Sequence, residues 1–75
     1  MNVLITGTSS GIGKACAEYF LKKGHRVYGF DRNDFSISDE NYTHFCLDIR
    51  NKTAYPKLPN MNIVVNNAGV QNKDD

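Results

Sequence analysis

The segment T-G-T-S-S-G-I-G, residues 6–13, places three glycines within seven positions and constrains the fold more than any other feature of this chain. It follows a continuous apolar run, Val3-Leu4-Ile5, which predicts a buried strand. Apolar residues then recur with helical spacing, which predicts an amphipathic helix; they are Ile12, Ala15, Cys16, Tyr19 and Phe20. A strand, a glycine-rich turn and a helix in this order predict a βαβ unit and therefore an α/β fold with a parallel sheet.

Three more strands are predicted along the rest of the chain. Gly24 is placed to end the helix, and residues 27–30 form a second strand that ends at Asp31. Residues 43–47 and 63–65 have strand character, whereas residues 32–41 and 50–60 are rich in turn-forming residues or proline. Because the connections after the second and third strands are short, we expect loops or single turns there. One face of the sheet is then thinly covered.

Composition excludes several classes of protein. Charged residues make up 23% of the 75 residues and are interspersed, with a formal net charge of +1, so neither a nucleic-acid-binding surface nor an acidic tail is predicted. The longest apolar runs have three residues, so no membrane span is predicted. No secretory signal is visible, which makes the cytoplasm the expected location. Cys16 and Cys46 lack metal-ligand spacing and are expected to be small buried residues; no metal site is predicted.

The glycine-rich turn predicts an anion-binding site. Backbone N–H groups at the start of a helix lack intrahelical partners and lie at the positive end of the helix dipole. Glycine lets a phosphate approach that backbone without a Cβ in the way. A P-loop is excluded, since Thr8 stands where its first glycine is required and Ala15 stands where a hydroxyl should bind Mg²⁺. The remaining interpretation is a dinucleotide pyrophosphate site, with hydroxyl donors at Thr8, Ser9 and Ser10.

An acidic residue at the end of the second strand supports the dinucleotide interpretation. Asp31 lies eighteen residues after Gly13, where a carboxylate would bind the adenosine ribose hydroxyls. Its charge would repel a 2′-phosphate, so the sequence favours NAD over NADP. Arg32 keeps NADP open as the alternative, because a guanidinium can pair with that phosphate.

With Thr6 in front and Ile12 between the last two glycines, residues 6–13 resemble the cofactor motif of the classical short-chain dehydrogenase/reductase family. Two further stretches are similar to motifs of that family: Asp48-Ile49 after the third strand, and Asn66-Asn67-Ala68-Gly69 after the fourth. The resemblance implies a partial Rossmann-like sheet in the order 3-2-1-4. It also implies a set of cofactor-binding residues, namely Gly7, Ser9, Ser10, Gly11, Ile12, Gly13, Asp31, Arg32, Asp48, Ile49, Asn67, Ala68 and Gly69.

Within that set, the resemblance implies different contacts along the cofactor. Ser9, Ser10 and the Ile12 backbone would contact the pyrophosphate or the adenosine ribose. Asp48 would accept a hydrogen bond from the adenine amino group, with Ile49 packing beside it. Asn67, Ala68 and Gly69 would line the cofactor ribose, and Asn66 would tie the fourth strand to its neighbours.

The resemblance also implies the reaction, which is hydride transfer between a nicotinamide cofactor and an alcohol or carbonyl substrate. The family's catalytic serine, and its tyrosine four residues before a lysine, lie well beyond N-N-A-G. We therefore expect no catalytic residue in this chain, which by itself would be inactive. Tyr19 and Lys23 match the spacing, but the helical pattern assigns Tyr19 to the packed face. His25 and His44 form no triad and are expected to be packed or solvated.

Three functions remain open from the sequence. The chain is the N-terminal half of one Rossmann-fold domain in a longer oxidoreductase, a stand-alone dinucleotide-binding module, or a truncated product without function. A fourth strand without its usual partner leaves an apolar parallel edge exposed, which favours association. A homo-oligomer is therefore expected.

Overall fold

The computed structural model describes residues 1–9, 11–34 and 37–67 of the chain. The elements are β1 (Asn2–Thr6), α1 (Gly11–Lys22), β2 (Arg26–Asp31), β3 (Tyr42–Cys46), a short 3₁₀ helix (Lys52–Ala54) and β4 (Ile63–Asn66). The four strands form one parallel sheet in the order β3-β2-β1-β4. This architecture confirms the predicted α/β fold, with its strand order and its helix after the first strand.

The main core lies between α1 and one face of the sheet. Register places Val3 beside Val27 and Ile63, so these side chains share a face. Val3, Val27 and Ala17 of α1 are fully buried in a common apolar cluster, together with Ile5. Helix α1 therefore covers the central strands, as a βαβ unit requires.

The face that α1 buries differs by one position from the predicted one. Its buried residues are Gly13 and Ala17, whereas Ile12 is 70% exposed and Tyr19 is 57% exposed. A Cβ built on Gly13 would lie 2.0 Å from the carbonyl oxygen of Gly7, so the helix backbone approaches the turn after β1 more closely than a larger side chain allows. The prediction placed the most apolar side chains toward the sheet. The structure places Gly13 and Ala17 there instead, because only small residues allow the helix to come this close.

Among the described residues, no α-helix packs on the opposite face of the sheet. Phe30 is buried there between the rings of Phe45 and Tyr55, with centroid separations of 5.7 and 5.1 Å. Val64 on the outer strand β4 is 60% exposed.

Cys46 at the end of β3 is exposed, and its thiol donates to the carbonyl oxygen of Arg32 at 3.2 Å. The expectation of a buried cysteine was therefore wrong at this position.

Candidate functional site

Four polar segments meet at the carboxyl edge of the sheet. Gly7 follows β1, Asp31 ends β2, Asp48 lies two residues beyond β3 and Asn67 follows β4. Since all four strands are parallel, these residues share one edge. Ligands of open α/β sheets bind outside this edge, so the described part of the chain places its candidate site where the fold favours one.

The turn after β1 is shaped by two glycines with different constraints. Gly7 has a φ of 75°, a left-handed conformation that favours glycine, and its N–H donates to the Phe30 carbonyl at 2.7 Å. Gly13 is required by space, because its Cβ would also lie 2.8 Å from the Asn67 side-chain nitrogen. That same nitrogen donates to the Gly7 carbonyl at 3.1 Å. The turn, the start of α1 and the end of β4 are thus packed together.

Gly11, the first residue of α1, meets no such constraint within the protein. A Cβ built on it has no atom within 4 Å, and both Gly11 and the next residue, Ile12, are exposed. The start of the helix therefore presents open space at Gly11, at the positive end of the helix dipole. The predicted contact at Ser10 lies outside the described residues.

Asp31 is buried against the turn and is held at both carboxylate oxygens. Oδ2 accepts a hydrogen bond from the Ser9 backbone N–H at 3.0 Å, and Oδ1 accepts one from the Asn33 backbone N–H at 2.9 Å. Burial raises the pKa of Asp31. Hydrogen bonds from the Asn33 and Ser9 backbone and from the Ser9 side chain, together with the charge of nearby His44, outweigh that effect and lower the pKa of Asp31 below its usual value of 3.8. Asp31 is therefore charged at neutral pH.

The predicted adenine-reading aspartate, Asp48, forms an ion pair within its own loop. Arg50 donates to Oδ2 through its terminal nitrogen at 2.9 Å, and to Oδ1 through Nε at 3.2 Å and its backbone N–H at 2.9 Å. Hydrogen bonds from the Arg50 side chain and backbone lower the pKa of Asp48 to about 2, and the charge of Arg32 adds to this effect. Exposed Arg32 thus lies within electrostatic range of this loop, beside Asp31.

Ile49 and Asn66, which also belong to the predicted motifs, both make hydrogen bonds within the protein. The Ile49 carbonyl accepts a hydrogen bond from the Tyr55 hydroxyl within the segment after β3, and the Tyr55 ring packs on Phe30 of β2. Thr6 donates through Oγ1 to the Asn66 side-chain oxygen at 3.1 Å, in agreement with the prediction that Asn66 ties β4 to its neighbour. Ala68 and Gly69 lie outside the described residues.

Two residues at this edge, Tyr42 and Asn33, were not singled out from the sequence. Thr8 was expected to offer its hydroxyl to a ligand, but it is 1% exposed and its Oγ1 lies 2.8 Å from the Tyr42 hydroxyl. Tyr42 contacts His44 Nδ1 at 2.8 Å, and His44 Nε2 contacts the Asn33 carbonyl at 2.8 Å. Burial raises the pKa of Tyr42, with a further contribution from the charge of Asp31, so its hydroxyl keeps its proton at neutral pH. The sequence offered one signal for this contact: Tyr42 and His44 alternate on β3, so they share a face of the sheet, and His44 pairs in register with Gly29 of β2.

Tyr19 does not pack on the sheet as predicted. Its ring is exposed, contacts the edge of Phe20 and lies beneath Lys23, whose Nζ is 5.4 Å from the ring centroid. Tyr19 lies in the last turn of α1 and Lys23 directly follows the helix, away from the glycine turn at its start. The corrected burial therefore leaves Tyr19 remote from the candidate site.

Metal ligands and membrane spans were also sought in residues 1–9, 11–34 and 37–67. Across these ranges, no group of three or more His, Cys, Asp or Glu side chains is arranged to hold a metal ion. No helix within the same ranges is both long and apolar enough to cross a membrane.

Comparison with known proteins decides the family. The family model described as short chain dehydrogenase matches residues 1–75, the whole of this sequence. The chain belongs to the short-chain dehydrogenase family. This family consists of oxidoreductases that bind a nicotinamide cofactor, which confirms the resemblance drawn from the glycine turn and the two later motifs.

Named relatives of this short-chain dehydrogenase segment are considerably longer. It is 38% identical over 74 residues to short-chain dehydrogenase/reductase prx4 of Penicillium rubens, covering 91% of this chain and 22% of that protein. It is 32% identical over 84 residues to the NADP-dependent 3-hydroxy acid dehydrogenase YdfG of Escherichia coli K12, covering 93% and 34%. It is 31% identical over 88 residues to the NADPH-dependent pterin aldehyde reductase of Arabidopsis thaliana, covering 96% and 36%. The chain spans about a fifth to a third of these relatives.

Proposed function

We propose that residues 1–75 form the N-terminal, adenosine-binding half of a Rossmann domain in an NADP(H)-dependent oxidoreductase. The complete enzyme would transfer hydride between the nicotinamide cofactor and an alcohol or carbonyl carbon. The observation that carries the proposal is the meeting of the glycine turn, Asp31 and Asn67 at one sheet edge. The catalytic serine, tyrosine and lysine would lie beyond residue 75.

The glycine turn would hold the cofactor pyrophosphate. Gly7 and Gly13 are needed for the protein's own packing, but Gly11 has no such internal requirement. Its open position at the start of α1 fits the close approach of a phosphate, which the N–H groups and the helix dipole would attract. Ser9, Ser10 and the Ile12 backbone would supply the neighbouring contacts.

The adenosine ribose would be bound near the end of β2. Asp31 already accepts a backbone N–H at each oxygen and so organises the turn, while Arg32 is exposed beside it. A guanidinium at this position suits a 2′-phosphate. The names of the YdfG and pterin aldehyde reductase relatives specify NADP and NADPH, which supports NADP(H) and argues against the preference for NAD drawn from Asp31.

The other predicted residues complete the proposed site. Asp48 would meet the adenine amino group with Ile49 beside it, and the Asp48–Arg50 pair would have to leave one acceptor position available. Asn67, Ala68 and Gly69 would line the cofactor ribose.

Cofactor choice is tested by titration with NADPH and with NADH. The protein to use is the native-length protein, which is the full product made in the cells it comes from. We expect NADPH to bind more tightly, and Arg32→Gln to reduce that preference about tenfold through loss of one charge-assisted contact. Arg26→Gln is the matched control, because Arg26 is an exposed arginine at the opposite end of the same strand. Tighter binding of NADH would restore the NAD interpretation, and saturable binding of neither would overturn the proposed function.

The domain assignment is tested by the mass of the native product, detected with an antibody raised against this segment. A mass about three times that of the 75-residue chain would match the coverage of the relatives. A product of 8.4 kDa would contradict the proposed enzyme and leave a binding module or an inactive fragment.

A further inference from the structure

A continuous set of hydrogen bonds joins β3 to the glycine turn and to the segment after β2. It runs from the Thr8 hydroxyl to Tyr42, from Tyr42 to His44 and from His44 to the Asn33 carbonyl, with each separation at 2.8 Å. We call Thr8, Tyr42, His44 and Asn33 the β3 relay. Neither the sequence motifs nor the proposed cofactor contacts account for it.

The chemistry of the groups gives the relay a direction. A carbonyl oxygen only accepts hydrogen bonds, so His44 Nε2 carries the proton that is donated to Asn33. With a neutral imidazole, Nδ1 then accepts from the Tyr42 hydroxyl. The Tyr42 oxygen in turn accepts from the Thr8 hydroxyl, so the Tyr42 hydroxyl accepts one hydrogen bond and donates another.

Two features show that the relay is built into the sheet. Thr8 and Tyr42 are both buried, so losing either hydroxyl leaves a polar partner without water. The Tyr42 hydroxyl also lies directly over Gly29, where a built Cβ would be 2.0 Å from Oη and 2.7 Å from Thr8 Oγ1. Gly29 therefore leaves the space through which β3 reaches across β2 to the turn.

Asn33 passes this arrangement on to the proposed ribose-binding residues. Its backbone N–H donates to Asp31 Oδ1, and its side-chain nitrogen donates to Ser9 Oγ at 3.0 Å. Ser9 N–H closes the connection by donating to Asp31 Oδ2. The orientation of Asp31 and the position of Ser9 thus depend on a segment that His44 holds by its carbonyl.

We propose that Tyr42 and His44 are positioning residues that fix the glycine turn and Asp31 in the geometry that binds the cofactor's adenosine ribose. This inference rests on the proposed dinucleotide site and adds residues from β3 to it. Neither residue needs to touch the cofactor, because each acts through Thr8 or Asn33.

The test measures the Kd for NADPH in the native-length protein and in variants of the relay. We expect Tyr42→Phe and Thr8→Val each to weaken binding about fivefold to tenfold, the range set by one hydrogen bond. Thr8→Ser keeps the hydroxyl and should stay within about twofold of the parent protein. Since the two losses break the same connection, the double variant Thr8→Val/Tyr42→Phe should bind no more than about twofold more weakly than either single variant.

Tyr28→Phe is the matched control. Tyr28 directly precedes Gly29 in β2, so its side chain lies on the other face of the sheet from the Tyr42 hydroxyl. It should leave the NADPH affinity unchanged. Amide NMR gives an independent readout: Tyr42→Phe should shift the Ser9 and Asn33 N–H signals, and Tyr28→Phe should not. If Tyr42→Phe does not fold, Thr8→Val and Thr8→Ser provide the same comparison.

The outcomes separate the two proposals. A parent protein that binds neither NADPH nor NADH overturns the proposed function. A parent protein that binds NADPH, with Thr8→Val equal to Thr8→Ser, overturns the positioning role alone. Independent losses that multiply in the double variant also overturn it, because they would show that Thr8 and Tyr42 act separately.

Discussion

Single glycines perform separate tasks in the turn after β1. Gly7 supplies a left-handed backbone, Gly13 allows α1 to contact the backbone of Gly7, and Gly11 leaves an opening toward solvent. The G-x-x-x-G-x-G pattern predicts the turn but does not distinguish these tasks. They depend on what stands opposite each Cα in the folded chain.

Substituting alanine at two of these glycines should therefore give opposite results. Gly13→Ala should lower the free energy of unfolding by about 1–3 kcal/mol, because the new methyl group meets the backbone of Gly7. Gly11→Ala should leave stability unchanged or raise it by up to about 1 kcal/mol, since alanine is the better helix former, while weakening NADPH binding. Urea unfolding and cofactor titration of both variants measure this. A stable Gly13→Ala protein would contradict the packing described here.

Asp31 gives the protein an acid-sensitive contribution to stability. Its folded-state pKa is lowered from 3.8, so its stabilising effect is fully present above pH 3.8 and is lost as the pH falls through the folded-state value. Asp31→Asn should lower stability at pH 7 and flatten the dependence of stability on pH as the pH falls below 3.8. The measurement is the urea midpoint at each pH, with exposed Asp34→Asn as the control. An unchanged slope in Asp31→Asn would show that its hydrogen bonds contribute nothing.

At the scale of elements, the end of α1 follows directly from its sequence. Gly24 has a φ of 86°, its N–H donates to Leu21, and the His25 N–H donates to Phe20 at 3.1 Å. These two bonds form a Schellman motif, which the contact between the Phe20 and His25 rings accompanies. The predicted helix end is therefore confirmed together with its mechanism.

Replacing the glycine that ends α1 isolates the cost of its conformation. A Cβ on Gly24 meets no atom within 4 Å, so Gly24→Ala changes the backbone preference and creates no clash. We expect a loss of about 1 kcal/mol in the free energy of unfolding, and a smaller loss for Gly24→Asn, which tolerates the left-handed region better. Thermal unfolding of the two variants measures the difference. Equal losses would contradict a conformational cause.

At the scale of the molecule, the described part of the sheet has two outer strands and one face without a packed α-helix. Strand β4 pairs with β1, and its Val64 is largely exposed on the face away from α1. The predicted homo-oligomer and cytoplasmic location remain predictions. Exposed apolar surface beside an outer strand is the feature that favours association.

Association through this surface is tested with the 75-residue chain. Val64→Lys should shift its sedimentation toward the monomer, because an outward charge on an outer strand opposes strand pairing. Exposed Thr43→Lys, on the opposite outer strand, is the control and should have a smaller effect. A parent chain that sediments as a monomer would contradict the expected association.

The sequence by itself determined the strand–turn–helix unit and the end of α1, because these depend on local periodicity and turn chemistry. Its short motifs implied the strand order and the family through their resemblance to those of known proteins. The tertiary structure decided the face that α1 buries, the inward position of Thr8 and the Asp48–Arg50 pair. It also brought Tyr42 and His44 to the glycine turn across Gly29. These features depend on how closely segments that are distant in the sequence approach one another in the folded chain. No local pattern in the sequence indicates that distance.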